Sequence, residues 1–211
     1  MSIITAAEIS TWERFYRANF INCLSGYKPV SLIGTVNANG QSNLSVVSNI
    51  VHIGADPALI GYINRPRKAA PHTIANIELT GVYTINHIRP DFIDKAHMTS
   101  AKYPENISEF EAVGLTPEYI EGIRAPFVKE SSVKYALTLR DIIPIPLNDT
   151  ALVIGEIVLV SLDDNIISSD GFLDLTKALS VCSNGIDGYY STEKLSRFAY
   201  AKPWISSQPI E

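Results

Sequence analysis

Val30-Ser31-Leu32-Ile33-Gly34-Thr35-Val36, then Asn39-Gly40, then Ser42-Asn43-Leu44-Ser45-Val46-Val47: two apolar, β-branched runs on either side of an Asn-Gly pair make the strongest short-range hairpin signal a sequence offers. Outward from this hairpin the same texture recurs. A third strand is expected over 58–63, after a turn at Gly54-Ala55-Asp56 and Pro57. Further strands are expected at Val82-Tyr83-Thr84-Ile85-Asn86, over 133–139 and over 152–160, the last apolar and β-branched as a buried strand should be. Helices are fewer. Thr5-Ala6-Ala7-Glu8 reads as a capping box, and Ile9, Trp12, Tyr16 and Phe20 recur at helical spacing, predicting one helix over about 6–24 before Gly26. A short helix is expected over 73–78, and helices with loops over 90–125.

No Ser/Gly/Pro-rich linker and no repeat divides the chain, so a single domain over 1–211 is expected, with a barrel over about 29–203. Several strands, few helices and a tight hairpin argue for a mainly β fold, a closed or nearly closed barrel with peripheral helices. Gly26, Gly34 and Gly40 have the wrong spacing for a dinucleotide-binding turn and do not open a helix.

Composition narrows the classes of function. Of the 211 residues 46% are hydrophobic and 18% charged, enough apolar material for a sizeable core. A net charge of -5 gives no overall attraction to nucleic acid or anionic membrane, so a local basic cluster carries more weight. Cys23 and Cys182 make neither a disulfide framework nor a metal site, and read as free thiols in a reducing compartment. There is no signal-like N-terminus and no run of roughly 18 apolar residues, so a cytoplasmic protein is expected.

Two stretches carry candidate chemistry. On a strand, alternation places Asn43, Ser45 and Val47 on one face and Leu44, Val46 and Ser48 on the other. Short hydroxyls and amides there suit a phosphate or the polar rim of a planar heterocycle; the solvent face of a hairpin would look the same. The second stretch, Asn64-Arg65-Pro66-Arg67-Lys68-Ala69-Ala70-Pro71-His72-Thr73, leaves a strand and enters a helix. Three cations and a histidine thus precede a helix N-terminus, whose free amides and dipole favour an anion such as the terminal phosphate of a mononucleotide. The alternative is a solvated basic loop with Thr73 as an ordinary cap. His52, His87 and His97 lack metal-ligand spacing and read as structural, and Tyr189-Tyr190 reads as aromatic packing that is also able to stack on a ligand.

In order and spacing, these stretches resemble the flavin-reductase-like FMN-binding proteins, a split-β-barrel family that includes flavoredoxin. The likeness runs from about residue 20 to 203. It is carried by Lys28-Pro29-Val30 into the Asn39-Gly40 turn, by Asn43 to Ser48, by Asp56-Pro57, and by His72-Thr73-Ile74-Ala75-Asn76-Ile77 with Thr80 to Asn86. Ser108-Glu109-Phe110-Glu111-Ala112-Val113-Gly114-Leu115-Thr116 and Val153-Ile154-Gly155-Glu156-Ile157 complete it. The resemblance implies an FMN-binding split β-barrel with peripheral helices, and a homodimer with FMN near the subunit interface. It implies a cofactor-binding set of Asn43, Leu44, Ser45, Ser48, Arg65, Lys68, His72 and Thr73, with Lys68 and Thr73 serving the phosphate and ribityl chain. His72 stands where an aspartate is common. Asn148-Asp149-Thr150 stands where short flavin reductases often carry Gly-Asp-His, which puts NAD(P)H use in question and places the chain nearer the longer, flavoredoxin-like branch.

The function expected is an FMN oxidoreductase receiving hydride from NADH or NADPH, with no side chain nominated as acid or base and no metal. Its rival is a non-enzymatic FMN electron carrier serving a redox partner. A pyridoxamine-phosphate-oxidase-like enzyme ranks last, because only Arg65 and Arg67 supply arginines to the loop.

Overall fold

In the computed structural model, residues 1–104 and 106–210 are described. Helices α1 (Ala6–Thr11) and α2 (Arg14–Leu24) come first, followed by β1 (Lys28–Pro29), β2 (Ser31–Val36), β3 (Ser42–Val47), β4 (Ile50–Ala55) and β5 (Ala58–Asn64). Helix α3 (Pro71–Thr80) leads into β6 (Val82–His87). Helices α4 (Ile93–Met98) and α5 (Glu109–Val113) follow, then the short pair β7 (Pro117–Glu118) and β8 (Phe127–Val128). A long hairpin, β9 (Val133–Ile145) and β10 (Thr150–Leu162), precedes β11 (Cys182–Asn184) and β12 (Gly188–Tyr190). No helix among the described residues is long and apolar enough to cross a membrane.

Seven strands form one antiparallel sheet in the order β3-β2-β6-β9-β10-β5-β4. Its two edge strands are consecutive in sequence, joined only by Ser48 and Asn49. The sheet therefore curls until its first and last strands meet at that corner and splay apart beyond it, which makes a split barrel. Asn49 holds the corner: its Nδ2 donates to the Ile63 carbonyl at 2.8 Å and its Oδ1 accepts from the Ile63 amide at 3.2 Å. One apolar cluster draws on all seven strands and is the barrel interior. There Ile33, Tyr83, Ile85 and Leu137 pack with Ile74 and Ile77, so α3 plugs the barrel with its apolar face. On the outer face of β2 and β3, Leu32 and Leu44 pack against Phe92, Ala96 and Phe110, the last two on α4 and α5. A small sheet, β1-β11-β12, lies beside this second cluster through Val30 and Tyr189.

Several expectations are corrected. The helix over 6–24 is broken at Trp12, which is extended, because the Glu13 carboxylate accepts from the amides of Phe15 and Tyr16 and starts a new helix. Trp12 packs edge-on against Tyr16 and Phe20, so the stripe closes on itself and neither helix buries a residue. Asn39-Gly40 does not form a two-residue turn. Asn37 Oδ1 accepts from the amides of Asn39 and Gln41, the Gly40 amide donates to the Asn37 carbonyl, and Gly40 closes the loop with φ 80°. Gly54 and Ala55, read as turn, end the strand β4 that the sequence reading missed; only Asp56 and Pro57 separate it from β5. The short helix is Pro71–Thr80, longer at both ends, with proline in its first turn.

Strands β9 and β10 exceed expectation because the hairpin runs on past its neighbours. β6 pairs with β9 only as far as Thr138, opposite Val82, yet β9 continues to Ile145. Along that free edge lie Pro144, which has no amide hydrogen, and Asp141, whose carboxylate accepts from the Ile142 amide at 2.7 Å.

Close packing fixes two glycines. A methyl on Gly34 would collide with the Pro126 carbonyl oxygen and lie 2.6 Å from Thr84 Oγ1, which itself donates to that carbonyl at 2.6 Å. Gly155 is pressed against the Tyr83 phenol in the same way. Gly34→Ala must push a backbone carbonyl aside, at a cost of about 3 kcal/mol. Thermal unfolding should show a midpoint lowered by roughly 6–12 °C; an unchanged midpoint would show that the 126 segment yields freely.

His87 sits at the end of β6 with its Nδ1 2.9 Å from Ser180 Oγ. Burial pushes its imidazole down to about 4, from an ordinary value near 6.5. Between those values the unfolded chain binds more protons than the folded one. Stability from the neutral ring is therefore complete above pH 6.5 and lost as pH falls towards 4. The ring keeps some contact with solvent, so the loss is about 2 kcal/mol at most. Urea midpoints measured from pH 7 to 4 should fall less steeply for His87→Asn than for the parent, and equal slopes would remove His87 from the account.

Candidate functional site

Where the sheet splits, a cleft of about 360 Å³ opens between β3, the end of β5, the start of α3, the chain just after α4, and the β11–β12 turn. All the residues predicted to bind cofactor line it: Asn43, Leu44, Ser45 and Ser48 on one side, Arg65, Lys68, His72 and Thr73 on the other. Strand alternation holds as expected. Val47 joins the barrel interior while Leu44 and Val46 pack on the outer face. Asn43 and Ser45 are half-buried, so they are not the solvent face of the hairpin. Leu44 contributes differently from its neighbours, since its side chain is fully buried in the core. Its amide, on the open edge of the sheet, donates to Glu109 Oε2 at 2.9 Å. By the same alternation Val46 turns its amide to that open edge.

The far end of β5 runs into a turn, in which the amides of Ala69 and Ala70 donate to the Pro66 carbonyl at 2.7 and 3.1 Å. Helix α3 then begins with Ala70 as a cap that offers no side-chain bond and Pro71 as its first residue. The amides of His72 and Thr73 are left facing outwards from the helix start. Thr73 is not the cap; it is the third helical residue, and its Oγ1 accepts from Asn43 Nδ2 at 3.3 Å. Arg65 and Lys68 have no ion-pair partner among the described residues. Arg67 is different: its guanidinium is held by Glu78 on α3, which corrects the reading of three available cations to two. This end of the cleft concentrates positive potential with amide donors, the chemistry of an anion site.

Three features were missed in the sequence. Glu109 lines the cleft, and burial raises its carboxyl, partly offset by the Leu44 amide and by the charge of His72. In the sequence it stands out only as part of the 108–116 stretch that carries the family resemblance, with no site role. His97, read as structural, also lines the cleft, with its Nδ1 3.0 Å from the hydroxyl of Tyr189 and the rings edge-on. Ser183 lines the cleft as well; its Oγ is buried and has no hydrogen-bond partner among the described residues. The separations, 65 positions between Leu44 and Glu109 and 92 between His97 and Tyr189, put these pairs beyond any local pattern.

Other candidates lie elsewhere. Thr150 is at the root of the β9–β10 turn, bonded to Asn148 Oδ1 at 2.7 Å, and is not part of the cleft wall. His52 lies exposed on β4, and His87 is bonded to Ser180. Among the described residues no cluster of His, Cys, Asp and Glu has the arrangement to hold a metal ion, and Cys23 and Cys182 are free thiols.

Comparison with known proteins gives a consistent picture. A crystal structure from Shewanella frigidimarina NCIMB 400, described as a candidate flavin reductase with a split barrel domain, is 47% identical and superposes with a TM-score of 0.92. The match covers 95% of this chain and 100% of that one. Flavoredoxin of Desulfovibrio vulgaris (Miyazaki F) is 26% identical with a TM-score of 0.70, over 85% of this chain and 92% of its own. A protein of Aquifex aeolicus (strain VF5) of unassigned function is 26% identical over 145 residues, 68% of this chain and 73% of that protein. Residues 26–176, which carry the barrel and most of the cleft, match the flavin reductase like domain, and the chain belongs to that family.

Proposed function

We propose that this chain is an FMN-dependent oxidoreductase that accepts hydride from NADH or NADPH. The observation that carries this reading is the uncapped start of α3, with Lys68 and Arg65 beside it, at one end of a cleft walled by half-buried hydroxyl and amide groups. A flavin mononucleotide needs an anion site, polar partners along a polyhydroxyl chain and a slot for a planar ring, and the cleft offers each. The amides of His72 and Thr73 with Lys68 and Arg65 suit the phosphate. Asn43, Ser45, Ser48 and the Glu109 carboxylate suit the ribityl hydroxyls and the polar rim of the ring, and the Val46 amide on the open edge adds a main-chain donor. Bound FMN supplies a two-electron acceptor, so the protein's task is position and electrostatics. The neutral Tyr62 and Tyr83 beneath the cleft, both raised by burial, keep charge out of the barrel interior. A homodimer fits the exposed Phe15, Tyr200 and Trp204, apolar surface that a second copy would cover.

The likeness to flavoredoxin favours a second reading, an electron carrier without nicotinamide chemistry. The visible spectrum of the purified protein, followed by anaerobic NADH or NADPH, separates the two. Bleaching of the flavin bands supports the oxidoreductase; a flavin reduced only by dithionite or a reduced partner protein supports the carrier.

FMN should bind more tightly than riboflavin, and equal affinities would remove the phosphate site. Lys68→Ala and Thr73→Val should each weaken FMN binding by about 1–3 kcal/mol with little change in the thermal midpoint of the apo form. Arg67→Ala, whose guanidinium is committed to Glu78, should leave FMN affinity within about twofold, since an exposed pair contributes little. Loss of affinity in Arg67→Ala but not in Lys68→Ala would reverse the assignment. Sedimentation should find a dimer that FMN stabilises by mass action; a monomer binding one FMN would count against a shared site.

A further inference from the structure

Part of the cleft wall comes from chain that the family match does not reach. The match ends at residue 176, whereas Ser183, Ile186 and Tyr189 come from β11, the following turn and β12. Two observations mark this wall as unfinished. Ser183 is 3% exposed and its hydroxyl has no partner among the described residues, an arrangement that costs folding free energy unless something else supplies the bond. His97 is held through Nδ1 by the Tyr189 hydroxyl, which leaves Nε2 uncommitted at the cleft. Burial raises the Tyr189 phenol, as does the charge of Asp187, so it stays neutral and the pair is fixed in orientation.

We propose that His97, Tyr189 and Ser183 form the recognition wall for the carboxamide of a nicotinamide ring, and thereby select the hydride donor. The inference rests on the oxidoreductase reading given above. A hydroxyl and an imidazole nitrogen both serve as donor or acceptor. A primary amide, with one acceptor oxygen and two donor hydrogens on one plane, is the small group that satisfies both at once. Ile186 beside them supplies an apolar surface for a flat heterocycle. Such a wall discriminates by hydrogen bonding, with His97 and Ser183 as recognition residues and Tyr189 as the positioning residue that aims the imidazole.

The test uses the full-length protein loaded with FMN and stopped-flow reduction at increasing NADH or its 3-acetylpyridine analogue, in which a methyl ketone replaces the amide. The saturation constant for the analogue should exceed that for NADH by roughly tenfold in the parent. In Ser183→Ala and His97→Ala the constant for NADH should rise by a similar factor and the two nucleotides should become equivalent. FMN affinity should be unchanged in both variants. The apo form of Ser183→Ala should unfold at or above the parent midpoint, because an orphaned hydroxyl has been removed. Variants that keep the parent's discrimination, or that lose FMN affinity instead, overturn the proposal. A parent that binds FMN but is reduced by neither nucleotide rejects the oxidoreductase reading, and this inference with it; a parent that is reduced while the variants behave like it rejects this inference alone.

Discussion

The two-residue connection at Ser48-Asn49 constrains everything around it. With the first and last strands of a seven-stranded sheet tied so closely, the sheet has to curl, and with only a corner joined it cannot close along its length. Asn49 satisfies both the amide and the carbonyl of Ile63 with one side chain, so the corner is fixed without a continuous ladder between β3 and β4. Open strand edges carry unpaired main-chain groups. Here they are met by Glu109 at the Leu44 amide, and what remains exposed becomes the cleft. The site is thus a direct product of incomplete barrel closure, built on rigid elements on three sides.

Helix α3 serves two ends of this design. Its apolar face, Ile74 and Ile77, fills the barrel, and Asn76 donates to Thr35 Oγ1 at 3.0 Å to fix its rotation. With the helix held so firmly, its first turn presents amides in one direction. The loop ahead of it is held too, because Arg67 is tied to Glu78 one helix length further on. Preorganised donors lose little conformational freedom on meeting a ligand, which raises affinity without adding contacts.

Much of the barrel was legible in the sequence because strands announce themselves locally. β2, β3, β5 and β6 emerge from alternation, β-branched runs and turn residues, and the phosphate end of the cleft emerges from a basic loop entering a helix. What escaped did so for physical reasons. β4 reads Ile50-Val51-His52-Ile53-Gly54-Ala55, with an exposed edge and a bulge at Ile53, so its pattern is blurred. The helical break at Trp12 depends on a single carboxylate choosing to cap. Arg67 looks like Lys68 in sequence, and only the turn of the chain sends one to Glu78 and the other to the cleft. The His97–Tyr189 wall is assembled by tertiary contact alone.

The outer end of the β9–β10 hairpin has a consequence for solution behaviour. Beyond Thr138 the outer edge of β9 has no neighbouring strand among the described residues, and a long free edge invites the same edge of another molecule to add to it. Pro144 removes one donor from that edge, Asp141 takes the Ile142 amide for itself, and Arg140 pairs with Glu156 to place charge alongside. A proline, an amide satisfied by its neighbour and flanking charge are the features that make a projecting ribbon a poor template for strand addition.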